Sequence, residues 1–323
     1  NPVIYWFLAY AIILAIYVLL GKPLTVGIGT VRDSKKIFIE YAYLLPSLSI
    51  FSILMYLKDS RLYKVLTIVA FVSLLFSFIY MLPLISSNPT ILRLILSASY
   101  ENIHIFGLPS YSLMHAYVLL VPAVLYGFRI FKSWQKWGML LVIALLFFII
   151  VNTHITTSLV ITFTISLFAL IFDVRNMTRS LIIICLLFFI ILILHFSGVF
   201  IQMFDYLIEY FKGTAVQTKM EDFKLLYLSG DIENASNLTG RSNLHHISWS
   251  AFFDNILVGS SPVGRHSSLI DRLGGMGLLA FIPFIMIIIS QIRMSLNVLE
   301  NIEQKTFYYL GVLSAFILLY QKG

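Results

Sequence analysis

The chain has 323 residues, 59% of them hydrophobic and only 11% charged, with a formal net charge of +7. A soluble domain carries about 25% charged residues, so this composition excludes an ordinary soluble fold and calls for bilayer lipid around much of the surface. The apolar runs are continuous rather than alternating, which excludes a transmembrane β-barrel and leaves an all-α, polytopic membrane protein.

Runs long enough to cross (about 17–25 residues) lie at roughly 2–20, 37–57, 65–85, 111–131, 137–155, 157–172, 180–198, 273–292 and 306–320. They predict about nine transmembrane helices in one membrane-embedded domain over 1–323, with no internal repeat. No cleavable leader is read at the start, which lacks a basic segment and a small-residue cleavage site. The single cysteine, Cys185, sits in an apolar run and is read as a packing residue. The basic residues flank spans instead of forming one patch, so they read as positive-inside anchors and not as a nucleic-acid surface.

Arg129, Lys132 and Lys136 assign the 129–136 connection to the cytoplasm, and Lys58, Arg61, Lys64, Arg175 and Arg179 place 58–64 and 173–179 on the same side. Arg293 and Lys305 agree for 293–305. The loops at 86–110, 153–157 and 199–272 then fall outside. One segment resists: Lys22, Arg32, Lys35 and Lys36 make 21–36 positive although the count puts it outside. Either a span is missing or broken near it, or it binds an external anion.

The 199–272 segment is the large extracytoplasmic loop. Phe204–Phe211 reads as an amphipathic helix resting on the membrane surface, Thr218–Leu228 as a second helix, and Ser229–Asn234 as a turn. Its second half, Leu238 to Asp271, concentrates arginine, histidine and glycine in a chain otherwise poor in polar chemistry.

Asn237 or Thr239 is the expected N-cap of a helix starting near Gly240 or Arg241, on which Arg241, His245, Ser248, Trp249 and Phe252 share a face. In the first turn Arg241 would add its fork of donors to unpaired backbone N–H groups and bind a phosphate-type anion. The alternative is an arginine anchoring a surface helix. Adjacent His245 and His246 point apart, so at most one serves the site. Zinc is weighed and set aside: the histidines lack the i, i+4 pairing, an intervening Glu and a Cys partner. His266 precedes a capping pattern, Ser268 to Asp271, so a helix should start just after it. Helix-end potential would keep its imidazole neutral, as a general base requires, the alternative being a buried hydrogen-bonding histidine. Arg265 pairs with a diphosphate or is merely solvated. Asp271 caps the helix or orients a base. Among the histidines near span ends, His115 and His195 read as self-satisfied, whereas His154, in the polar patch Asn152–Ser158, is a candidate site residue.

The order Gly240-Arg241, Trp249, Phe252 or Phe253, Asn255, Gly259, His266-Ser267-Ser268 and Gly277 resembles the C-terminal signature of the O-antigen ligase and polymerase superfamily. That signature covers about forty residues, and the span layout extends the likeness over nearly the whole chain. The resemblance implies an enzyme of the bacterial inner membrane, acting at its outer face on undecaprenyl-diphosphate-linked glycans as donor and acceptor. In it Arg241 would hold the diphosphate and His266 would serve the acceptor hydroxyl or the diphosphate. Arg265, His245, Trp249, Asp271 and His154 would contact substrate, with no metal and no cofactor. A Ser-Arg pair frequent in the family is replaced here by Thr156-Thr157-Ser158-Leu159, which leaves the second phosphate contact to Arg265, Arg93 or Arg32. A polysaccharide polymerase is the leading expectation, with a chain-length regulator as an optional partner. An O-antigen ligase acting on lipid A core is the nearest alternative, and a transporter of lipid-linked sugars the next.

Overall fold

The computed structural model describes residues 1–22, 24–25, 31–32, 60–87, 111–152, 155–172, 177–213, 215–229, 236–264 and 266–321. In chain order the elements are α1 (Pro2–Leu19), a short antiparallel pair β1 (Leu24–Thr25) and β2 (Val31–Arg32), then α2 (Ser60–Ser87), α3 (Tyr111–Ile130), α4 (Trp134–Asn152), α5 (Thr156–Ile171) and α6 (Met177–Phe196). They continue with α7 (Val199–Tyr210), α8 (Ala215–Ser229), α9 (Ser236–Asp254), α10 (Ser268–Leu296) and α11 (Ile302–Gln321).

The described structure is helical, as the composition requires. Among the described residues, four helices are long and apolar enough to cross a membrane: α1, α4, α6 and α10. Shorter apolar helices lie at Ile68–Leu84, Met114–Ile130 and Thr157–Ile171. The run at 306–320 is helical within α11, and the run at 37–57 lies outside the described residues. On α6 Leu181, Phe188, Phe189 and Ile193 are each more than half exposed. Apolar side chains bare around a helix suit lipid and not water, which supports membrane association.

The chain forms two compact units. The first contains 1–64, 238–300 and 316–323; the second contains 65–237 and 301–315. In the first, α1 packs on α10. Asn1 caps α1 through its side chain, which accepts from the Val3 amide at 3.1 Å, and Pro2 opens the helix. Val3, Phe7, Tyr10, Leu14 and Tyr17 follow a spacing of four and three residues and form one buried stripe against Met276, Ala280 and Ile287. Tyr5, Leu8, Ile12 and Ile16 on the opposite side are exposed, so α1 is apolar all round.

In the second unit α3 packs on α4 and α5. Buried Tyr117 places its hydroxyl 2.6 Å from Ser77 Oγ. Arg129 closes the C-terminal end of α5: its guanidinium donates to the carbonyls of Ala169 and Phe172, pairs with Glu303 at 3.5 Å and lies over the Phe307 ring. After α6, left-handed Gly198 turns the chain into α7, which has no buried residue, and α8 packs on it with a Lys224–Asp205 ion pair. His195 at the end of α6 meets the Tyr227 hydroxyl at 2.7 Å through Nδ1, the self-satisfied role expected of it.

Candidate functional site

Helix α9 begins at Ser236, earlier than the start near Gly240 or Arg241 that the capping residues suggest. The buried contacts of Ser248 and Ala251 fix the helix from its far end, and Asn237 and Thr239 are absorbed into the first turn. Arg241 therefore stands in the second turn. Its backbone lies one turn past the unpaired N–H groups of the helix start, among which the capping residues would place it. Its backbone is described and its side chain is not; Arg265 and His154 lie outside the described residues.

The helix after the loop is broken. Within α10, Gly277 has φ 63° and ψ −175°, a conformation that interrupts the helix and that other residues rarely adopt. The turn after α9 fills the break. The N–H groups of Leu278 and Leu279 donate to the carbonyls of Ile256 and Leu257 (2.9 and 3.0 Å), and Ser260 N–H donates to the freed carbonyl of Gly274 at 3.0 Å. Asn255 closes the turn: its carbonyl accepts from Gly259 N–H and its side chain from Val258 N–H. All three backbones touch. A Cβ on Gly274 would collide with the Ser248 carbonyl oxygen, and one on Gly264 with that of Leu244.

A polar chain ties these strands of backbone together. Gly264 N–H donates to Ser248 Oγ at 2.7 Å, Ser248 donates to Asp271 Oδ1 at 2.6 Å, and Asp271 Oδ2 accepts from Ser267 N–H at 2.9 Å. Ser267 is the N-cap of α10, accepting from Ile270 N–H, so the capping pattern sits one residue earlier than Ser268. Both oxygens of Asp271 are engaged by the protein. The carboxylate thus binds α9, the loop and α10 in one knot, from the first turn of α10, where negative charge is favoured.

That knot presents His266 to His245. Their ring centroids are 6.0 Å apart, and the Tyr320 ring stands edge-on to His245 at 5.4 Å. The Nε2 of His245 is buried and has no hydrogen-bond partner among the described residues. His246 points away, beside Ser250. Trp249, 39% exposed, stacks with Phe253 and meets Phe252 edge-on, giving an aromatic ledge one turn beyond His245. No protein-family model, curated protein or solved structure matches this chain. The chemistry is read from the residues.

The structure thus brings His245, His266, Trp249 and Asp271 into one region of the first unit. It adds three residues that sequence reasoning did not assign to the site. Ser248 was visible on the helix face but not as a link. Tyr320 comes from the end of the last helix, and counting spans would have put that end on the same side as the loop. Lys22, from the anomalous 21–36 segment, donates from Nζ to the Gly259 carbonyl at 3.1 Å and lies over the Tyr17 ring.

Burial pulls the Lys22 ammonium down to about 8 from its ordinary 10.5. With the folded value below the unfolded one, the unfolded chain holds more protons between those two values, so stability rises with pH across that window. Tyr17 is the titratable group against it; Asp271 is held by Ser248 and Ser267, and Arg272 by Ser268 and Phe284. Thermal unfolding in detergent should show Tm increasing from pH 8 to 10.5 by roughly 2 °C once screening at a half-exposed group is allowed for. Lys22→Met should remove that increment, and an identical pH slope in the variant would refute the assignment.

Proposed function

We propose that this chain is a membrane glycosyltransferase that polymerises polyprenyl-diphosphate-linked repeat units into a surface polysaccharide. The observation that carries it is the meeting of His266 and His245 beside the glycine-packed turn of a broken apolar helix. A neutral imidazole there accepts the proton of an acceptor hydroxyl while the hydroxyl oxygen bonds to the anomeric carbon of the donor. The bond from that carbon to the diphosphate oxygen breaks with inversion, and the leaving diphosphate keeps the electron pair. Arg241, with Arg265, neutralises it, since guanidinium groups match phosphate oxygens in pairs. Trp249 lines the sugar path, and Asp271 holds the loop that carries His266. The likeness of the 240–277 motif to the O-antigen ligase and polymerase superfamily supports the same reading.

In this reading about nine helices span the bacterial inner membrane, the 199–272 loop lies outside the cytoplasm, and the donor and acceptor are both undecaprenyl-diphosphate-linked glycans. The chemistry uses no cofactor. Transfer to lipid A core, as in an O-antigen ligase, is the second reading, because the same residues would serve a different acceptor. A transporter would distribute charged groups through several spans, whereas here arginine and histidine concentrate between 238 and 271.

Arg241→Ala and His266→Ala, each produced in cells lacking the native gene, test the proposal on a gel of surface glycan. Each variant should insert in the membrane and lose the ladder, a fall of at least about 10²-fold in elongation. Single repeat units retained on lipid A core identify the polymerase, and loss of all transfer identifies the ligase. A normal ladder in either variant overturns the site.

A further inference from the structure

We propose that Lys22 is a positioning residue of this site, clamping the turn that fills the break in α10 and, through it, the loop that carries His266. The consequence for chemistry rests on the glycosyltransferase reading; the clamp itself rests on geometry. Beyond its hydrogen bonds within itself and to α10, the Asn255–Ser260 turn has little apolar packing to hold it. Ile256 and Leu257 are 46% and 60% exposed, and Asn255 is exposed as well, while Val258 packs on the α1–α10 core. The turn nevertheless supplies the carbonyls that Leu278 and Leu279 need in place of their lost helical partners.

Helix α1 supplies what the turn lacks. Lys22 donates to the Gly259 carbonyl, on the turn, and the Tyr17 hydroxyl donates to the Met276 carbonyl at 2.8 Å, on the helix just before the break. The Tyr17 ring lies under the Lys22 ammonium with its centroid 4.6 Å from Nζ, so the two side chains brace each other across the gap. A charge-assisted bond to a backbone carbonyl is stronger than a neutral one. Gly259 leads in five residues to Gly264, whose N–H enters the Ser248–Asp271–Ser267 chain, and two residues later to His266. A turn that slides in the break carries the start of this loop with it. A displacement on the order of 1 Å at a reacting group costs about a hundredfold in rate.

The same lysine could instead meet the substrate's diphosphate directly, and kinetics separates the two roles. Removing a bond that is equally strong in the ground and transition states raises KM, whereas misplacing a base lowers kcat. The test uses the whole protein in lipid nanodiscs with lipid-linked repeat units as substrate, in wild type, Lys22→Met and Lys22→Arg. Hydrogen–deuterium exchange is followed in peptides covering 255–260 and 277–281. In Lys22→Met, exchange there should accelerate about tenfold and kcat should fall about tenfold, with KM within about twofold of wild type. Lys22→Arg, which keeps a charged donor, should recover most of both. Unchanged exchange in Lys22→Met overturns the clamp, and raised KM at constant kcat overturns it in favour of an anion contact. If wild type makes no polymer, the glycosyltransferase reading fails while the exchange measurement still decides the clamp. If Arg241→Ala abolishes polymer and Lys22→Met changes nothing, the reading stands and the clamp fails.

Discussion

Gly264→Ala should cost about 4 kcal/mol of stability and, under the glycosyltransferase reading, abolish elongation. The added methyl carbon would collide with the Leu244 carbonyl oxygen and lie 2.5 Å from its carbon and 2.9 Å from its Cα. All three atoms are backbone of α9, so no side chain can swing aside; the loop itself must retreat. Retreat stretches the 2.7 Å bond from Gly264 N–H to Ser248 Oγ and strands a buried donor. Overpacking of this kind costs about 1–3 kcal/mol and an unsatisfied buried group about 1–3 more. The control is Gly311→Ala in α11, where nothing lies within 4 Å of the new carbon. There alanine should stabilise by up to about 1 kcal/mol through helix propensity. Thermal unfolding of both variants in the same detergent, with exchange at 255–267, measures the contrast. Equal Tm values for the two alanines would show that α9 and the loop do not approach as described.

The helices were legible because each is an apolar run ended by polar or charged residues, and lipid enforces that pattern over about twenty positions at once. Local propensity matters less there than length. The polar segment obeys weaker rules. Asn237 and Thr239 look like caps, yet Ser236 starts α9, because capping preferences of about 1 kcal/mol yield to packing further along the helix. The Ser268–Asp271 pattern announces a helix just after His266 while misplacing its cap by one residue. His245 and Trp249 could be placed on one helix face by periodicity. Their surroundings could not, since Tyr320 reaches His245, and Lys22 the Gly259 carbonyl, only by tertiary folding. Likewise the glycines at 259, 264, 274 and 277 were visible as letters. That each marks a place where two backbones meet follows from the packing of α9, the turn and the broken α10, which no local propensity announces. The positive 21–36 segment is the instructive case. Its charge conflicted with a rule about loops, and its first lysine turns out to be spent on a backbone carbonyl beside the site.

Asp271→Ala should destabilise the first unit strongly, and Asp271→Asn should be far milder. Alanine leaves Ser267 N–H without its acceptor and frees the Ser248 hydroxyl, whose other acceptor, the Leu244 carbonyl, is 3.4 Å away. It also removes an acidic residue from the first turn of α10, where negative charge is stabilising. These losses sum to about 3 kcal/mol. Asparagine fits the same space. Its Oδ1 can accept from Ser267 N–H while its amide donates to Ser248 Oγ, whose own proton then turns to Leu244; only the charge at the helix start is lost, about 1 kcal/mol. The order matters for mechanism. A carboxylate that contacts substrate or polarises His266 by its charge would lose activity in the amide as fully as in alanine. A carboxylate that holds backbone should keep most of kcat in Asp271→Asn and lose it in Asp271→Ala, in step with Tm. Elongation rates for the two variants, set beside their unfolding curves, therefore separate a charge acting on the reaction from a knot that keeps His266 facing His245.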